Sequence, residues 1–162
     1  MECSKLDLTK PEKQSSKPFS DQSLFNHNYM EGKRESSCVE TVKVDSLGKM
    51  EWNRTYGESG TEYANSVVAT NDEGYAVAGS ARRKDNNTNV WLIKVDALGN
   101  MQWNQSFGGP LSDYCDLIVN SNKGELLLAC ISQPPTRTPN YGDGDFWLAK
   151  VDSHGNLLGN QT

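Results

Sequence analysis

The sequence predicts an all-β chain made of repeated four-stranded antiparallel units. Three observations carry this prediction. A tryptophan-containing segment recurs after 51 residues, each repeat holds short runs rich in β-branched and aromatic residues, and turn-forming residues separate the runs. Short apolar runs bounded by turn residues are typical of strands rather than helices.

The composition excludes two classes of partner. Of 162 residues, 35% are hydrophobic and 23% are charged, and the formal net charge is −5. An acidic chain is a poor ligand for the phosphates of nucleic acid. No stretch approaches the about 20 apolar residues that a membrane-spanning helix needs. We therefore expect neither a nucleic-acid partner nor a membrane span.

Residues 1–37 differ in composition from the rest. They are rich in Lys, Ser, Glu, Asp, Gln and Asn, and their apolar residues follow neither strand nor helix periodicity. This predicts a disordered polar tail, and the alternative is a short binding segment formed by Ser23 to Phe25 and Tyr29-Met30. The first residues lack the basic start and apolar run of a secretory signal, so the compartment is left unknown.

Residues 38–162 form the repeat region. Val44 to Trp52 recurs as Val95 to Trp103, and Val151 begins a third copy. These starts define complete periods at 45–95 and 96–151, followed by a third period that is cut short. Within the periods, the pattern aligns Gly74 with Gly124 through a deletion of one residue.

Each period is predicted to contain four strands. In the first period, the predicted strands lie near Lys49 to Tyr56, Ala64 to Thr70, Tyr75 to Ala81 and Val90 to Val95. A meander of about 50 residues has the size of one propeller blade. The sequence therefore predicts a partial β-propeller with about two four-stranded blades and an incomplete blade at each end.

The turns and tryptophans are the recurring structural positions. The Asp-x-x-Gly pattern predicts a turn in which Asp accepts backbone hydrogen bonds and Gly supplies a positive φ. The tryptophans form two equivalent pairs, which indicates packing between sheets, with an aromatic binding platform as the alternative. The recurring residues are Asp45, Asp96, Asp152, Gly48, Gly99, Gly155, Trp52, Trp103, Trp91 and Trp147.

Chain length limits what the repeats can build. Propellers use about 4 to 8 blades, or roughly 200 to 400 residues at this period. We therefore expect a fragment, a split gene product or a homo-oligomer, whose partners are other blades in trans or further copies of the chain. No small-molecule ligand can be read from the residues.

The repeats resemble the tryptophan-bearing β-propeller repeats of predicted archaeal and bacterial surface proteins, over roughly residues 38 to 162. Three places depart from the pattern. Glu40 and Gly159 stand where tryptophan is expected, and Lys123-Gly124-Glu125 lacks the usual paired glycine and aromatic. The resemblance implies an interaction or scaffold role at a cell surface and no catalytic residues. The matching residues are Asp96, Gly99, Asn100, Trp103, Phe107, Gly108, Gly109, Trp147, Leu148, Lys150 and Asp152.

A second resemblance leaves an alternative function open. The segment from Val95 to Trp103 is similar to the tryptophan-docking turn of quinoprotein propellers, with one residue fewer between Asp and Gly. We predict a non-catalytic module without a cofactor. The alternative is a carbohydrate-binding or quinoprotein-like enzymatic propeller whose site lies in missing blades.

The remaining candidate sites are weak. Asp85, Asn87 and Asn89 place oxygen atoms at alternating positions, as in a calcium loop, but a polar loop is the favoured interpretation. We therefore predict no metal site. The four cysteines occupy unrelated repeat positions, which predicts small buried residues and neither a zinc site nor a disulfide framework.

Overall fold

The computed structural model describes residues 23–27, 38–57, 60–84, 86–110, 112–121, 123–133 and 144–161. These residues form strands, turns and bends without a helix, so the prediction of an all-β chain is confirmed. None of them therefore forms a helix that could cross a membrane. The strands are β1 (Ser23–His27), β2 (Val39–Val44), β3 (Met50–Tyr56), β4 (Glu62–Ala69), β5 (Tyr75–Arg82), β6 (Thr88–Val95), β7 (Met101–Phe107), β8 (Ser112–Asn120), β9 (Leu126–Gln133), β10 (Asp145–Val151) and β11 (Leu157–Gln161).

The described strands form three antiparallel sheets. Sheet A contains β1, β2 and β3, sheet B contains β4 to β7, and sheet C contains β8 to β11, each in chain order. The prediction of four-stranded antiparallel sheets is confirmed for sheets B and C.

The sheets are offset by one strand from the predicted periods. The predicted first period joins β3 to the strands that follow it, but β3 pairs with β2 in sheet A. The reason is that the Asp-x-x-Gly turn is a hairpin within a sheet, whereas the chain changes sheet after β3 and after β7. The prediction of an incomplete C-terminal unit is also wrong, since β11 completes sheet C.

One strand lies inside the predicted polar tail. Strand β1 pairs antiparallel with β2, from Ser23 opposite Val44 to His27 opposite Glu40. For these five residues, pairing with an existing strand edge replaces the predicted disorder. The other residues of the tail lie outside the described residues.

Three hairpin turns have the same hydrogen bonds. In each turn, the Asp Oδ1 accepts the N–H groups of the second and fourth residues that follow, at 2.8 to 2.9 Å. The glycine at the fourth position has a φ of 79° at Gly48, 78° at Gly99 and 86° at Gly155. These are the contacts that the Asp-x-x-Gly pattern predicts.

The turn between β4 and β5 corrects the predicted alignment. Positive φ occurs at Glu73 in sheet B and at Gly124 in sheet C, so these two residues are equivalent. Gly74 therefore corresponds to Glu125 rather than to Gly124, with no deletion. A shift of one residue moves a strand's side chains to the opposite face, so this correction decides which residues of β9 face inwards.

Sheet B lies between the other two sheets and is buried on both faces. Tyr75, Val77 and Ile93 pack in a cluster with residues of sheet A. Val90 and Leu92 belong to a second cluster with residues of sheet C. The near-continuous burial of β5 and β6 follows from this position, because a strand covered on both faces has no solvated side.

The first strands of sheets B and C also contact each other through polar groups. Asn65 Nδ2 donates to the Cys115 carbonyl oxygen at 2.8 Å, and the Ile118 N–H donates to Ser66 Oγ at 3.2 Å. Asn120 Nδ2 donates to the Ala69 carbonyl oxygen at 3.0 Å. These bonds fix how far β8 can slide along β4.

Equivalent leucines in sheets B and C test the stacking. Leu92 is fully buried between sheets B and C, whereas Leu148, at the same repeat position, is 37% exposed on the far side of sheet C. We expect Leu92→Ala to lower the free energy of unfolding by about 3 kcal/mol. We expect Leu148→Ala to lower it by less than about 1 kcal/mol. Urea unfolding at low protein concentration measures both, and equal losses would contradict this order of sheets.

Candidate interaction surfaces

Trp52 connects sheet A to sheet B. Its Nε1–H donates to the carbonyl oxygen of Ala97, in the turn between β6 and β7, at 2.9 Å. The ring covers Gly99, where an added β-carbon would lie 3.0 Å from Cε3 of the indole. The turn glycine therefore serves two purposes, since it supplies the positive φ and leaves room for the ring.

Trp103 makes the same contact between sheets B and C. Its Nε1–H donates to the Ser153 carbonyl oxygen at 3.1 Å, and its ring lies 3.1 Å from the position of a β-carbon on Gly155. Trp52 is paired with Lys43, and Trp103 is paired with Lys94. The two indoles therefore occupy the same register on the last strand of their sheets.

Tyr56 strengthens the first of these contacts. Its hydroxyl donates to the Gly99 carbonyl oxygen at 2.7 Å. Burial raises the pKa of Tyr56 to about 12, so the hydroxyl remains a donor at neutral pH. Phe107, the equivalent residue of β7, has no hydroxyl to make this bond.

The first Asp-x-x-Gly turn has no indole on it. We call Asp45–Gly48 the uncovered turn. Asp45 Oδ1 accepts the same two N–H groups as in the other two turns, but no described residue lies within 4 Å of the position of a β-carbon on Gly48. Leu47 in this turn is 91% exposed. The turn thus has the geometry of an indole-binding site that nothing in the described part of the chain occupies.

The other two tryptophans pack inside the stack. Trp91 lies in the cluster between sheets A and B, and Trp147 lies in the cluster between sheets B and C. They are 5% and 6% exposed. All four tryptophans therefore make packing contacts between sheets, and Trp103 is only partly buried.

The far side of sheet C is apolar and exposed. We call it the outer face. Its residues are equivalent to residues of sheet B that face sheet C, such as Ala76 and Leu92, which are fully buried. The exposed residues of the outer face are Leu117 (52%), Val119 (43%), Leu127 (38%), Phe146 (58%) and Leu148 (37%). Exposed apolar patches of this kind mark interaction sites.

The outer face was not singled out from the sequence. Its signal is the continuous run Leu126-Leu127-Leu128 in β9, since a strand with one solvated face should alternate. The predicted one-residue deletion aligned Leu127 with the buried Val77 and hid this signal. The structure aligns Leu127 with Ala76 instead.

A buried lysine is held by the β4–β5 turn. Lys94 Nζ donates to Asp72 Oδ2 at 2.8 Å, to Gln102 Oε1 at 2.9 Å and to the Val95 carbonyl oxygen at 3.0 Å. Burial raises the pKa of Asp72, but hydrogen bonds from Lys94 and Thr70 and the lysine charge outweigh it and lower that pKa to about 2. The pair thus stabilises the folded chain only while Asp72 is ionised.

The predicted polar loop shows no metal geometry in its described part. Asn89 Oδ1 accepts a hydrogen bond from Arg83, and Asn87 Nδ2 donates to the Pro110 carbonyl oxygen at 3.0 Å. Asp85 lies outside the described residues. Across the described ranges, no three His, Cys, Asp or Glu side chains are grouped as metal ligands.

The cysteines divide into two kinds. Cys115 and Cys130 are free, fully buried and opposite each other across β8 and β9, which confirms the prediction for these two. A hydrogen bond with Cys115 and burial raise the pKa of the Cys130 thiol. Cys38 differs from the prediction, because it is in a disulfide whose partner lies outside the described residues.

The chain was compared with known proteins. No family model matches it, and no curated protein matches it significantly.

Acid should weaken the fold through Asp72. A carboxyl group whose pKa falls from 3.8 to about 2 on folding stabilises the chain above about pH 4, and this stabilisation disappears as the pH falls towards 2. Asp72 is half exposed, so we expect a loss of only about 1 kcal/mol. Asp72→Asn should remove that part of the pH dependence in urea unfolding, and Asp116→Asn is the control. An unchanged pH profile in Asp72→Asn would contradict this role.

Two glycine variants compare a covered turn with the uncovered one. Gly48 and Gly99 have almost the same φ, and asparagine tolerates this conformation. We expect Gly99→Asn to lower the free energy of unfolding by about 2 kcal/mol, because the new side chain displaces Trp52. Gly48→Asn should change it by less than about 0.5 kcal/mol. Thermal and urea unfolding measure both, and a similar loss in Gly48→Asn would show that the uncovered turn is packed.

Proposed function

We propose that this chain is a non-catalytic β-propeller repeat module that works by associating with further blades through its end sheets. One observation carries the proposal. At Leu127, Phe146 and Leu148 the outer face exposes apolar residues whose equivalents in sheet B, namely Ala76, Val90 and Leu92, are fully buried against the next sheet. What sheet C does for sheet B, a further blade would do for sheet C.

The contacts between sheets repeat, which supports the proposal that each sheet is a blade. The step from sheet A to sheet B and the step from sheet B to sheet C use the same indole-to-carbonyl hydrogen bond. Both steps also bury apolar residues of each sheet in a shared cluster. The same contacts thus join each sheet to the next. Such repetition is typical of repeat architectures, in which each unit contacts its neighbours.

The composition of the outer face favours a protein sheet as its occupant. The face presents leucine, valine and phenylalanine, with Lys150 at one end in an ion pair with Glu125 at 2.8 Å. The side of sheet B that sheet C covers has the same character, since it is apolar and has Lys94 at the position equivalent to Lys150. The proposed occupant is therefore a four-stranded sheet of the same repeat, which in a solution of this chain alone is supplied by a second copy. The resemblance of the repeat favours a scaffold role at a cell surface.

Sedimentation velocity of the full chain tests the proposal. We expect the sedimentation coefficient to rise with protein concentration, because copies cover the outer face. Phe146→Glu should raise the dissociation constant at least about tenfold, since the contact would bury an unpaired charge. Leu98→Glu is the matched control, because Leu98 is an exposed apolar residue in a turn away from the outer face.

Two results would overturn the proposal. The first is a monodisperse chain of 17.9 kDa at every concentration. The second is association that Phe146→Glu and Leu98→Glu weaken equally, which would indicate contact elsewhere. Unfolding curves of both variants check that they remain folded.

A further inference from the structure

We propose that the uncovered turn Asp45–Gly48 is a binding site for a tryptophan indole carried on the last strand of another blade. The inference rests on the proposed function in one respect, because both assume that another blade packs against an end sheet of this chain. It adds the chemical identity of the group that is recognised. It also concerns sheet A, at the opposite end of the stack from the outer face.

The two occupied turns define the ligand. In both, an indole Nε1–H donates to the carbonyl oxygen of the second turn residue, and the ring covers the glycine at the fourth position. The uncovered turn presents the same atoms, namely the Ser46 carbonyl oxygen and the bare backbone of Gly48. The two bonds to its Asp Oδ1 and its glycine φ match those of the occupied turns, so the site is formed before any ligand binds.

No tryptophan of this sequence is free to bind there. The chain has four tryptophans. Trp52 and Trp103 are bound to other turns, and Trp91 and Trp147 are buried between sheets. The indole must therefore belong to a residue outside these 162.

A second copy of the chain also lacks the required residue. The register position of Trp52 and Trp103 on their strands is opposite a lysine of the strand before them. In sheet C, the residue opposite Lys150 is Gly159. A copy that places its outer face against sheet A therefore leaves the uncovered turn without an indole. The site selects a different blade, one that has tryptophan at this register.

A gain-of-function variant tests the site in the full chain. Gly159→Trp places an indole at the register that Trp52 and Trp103 use. Gly159 is exposed, and no described residue lies within 4 Å of the position of its β-carbon, so the substitution leaves the fold intact. We expect the dissociation constant for self-association to fall at least about tenfold in sedimentation velocity.

A second substitution identifies where the indole binds. Gly159→Trp combined with Gly48→Asn should return the dissociation constant to the wild-type value, because the asparagine side chain occupies the place of the ring. Gly159→Phe should give a smaller gain, since phenylalanine has no N–H for the Ser46 carbonyl oxygen. Association of Gly159→Trp should also shift its indole fluorescence to shorter wavelength, in a manner that Gly48→Asn removes.

The outcomes separate this inference from the proposed function. If the wild type associates through Phe146 and Gly159→Trp associates no more strongly, the inference is overturned and the proposed function stands. If Gly159→Trp associates more strongly but Gly48→Asn has no effect, the indole binds elsewhere and the inference is overturned. If only Gly159→Trp associates, and Gly48→Asn reverses it, the inference stands and the proposed function fails.

Discussion

Sheets B and C carry apolar residues on both faces, and such a sheet is fully buried only when another sheet lies on each side. Sheet B meets this condition, so β5 and β6 are buried along almost their whole length. Sheet C meets it on one side only, although Leu127, Phe146 and Leu148 are as apolar as their buried equivalents in sheet B. Apolar burial is the dominant favourable contribution to folding and association. Under the proposed function, this uncovered side of sheet C is the surface that a further blade covers.

Apolar packing alone does not determine how one sheet sits on the next, because it has no direction. The tryptophan contacts supply the direction. The indole N–H of Trp52 must reach one carbonyl oxygen, and its ring needs a glycine beneath it. Trp52 therefore fits the turn of sheet B in only one position. The amide bonds from Asn65 and Asn120 fix the first strands in the same way. Burial provides the affinity between sheets, and these polar contacts provide the alignment.

The sequence predicts local features of this fold well and the assembly of its sheets less well. The Asp-x-x-Gly turns follow from side-chain chemistry within five residues, and the structure has them. The grouping of strands into sheets depends on where the chain crosses from one sheet to the next, which the period does not mark, so the predicted units are offset by one strand. The Gly74 to Gly124 alignment failed because Glu73 adopts the positive φ that glycine adopts in the other copy. The strand β1 and the disulfide of Cys38 depend on distant residues that no local pattern reveals.

The difference between the two ends has a physical consequence under the proposed function. A repeat that carried both an indole on its last strand and an uncovered turn on its first sheet would bind copies of itself head to tail. Such heterologous contacts generate open filaments unless the rotation closes a ring. Gly159 removes the directional part of that contact while the apolar part remains on the outer face. Contacts between identical copies are thereby left weak and poorly aligned, and the uncovered turn stays available to a blade that brings its own tryptophan.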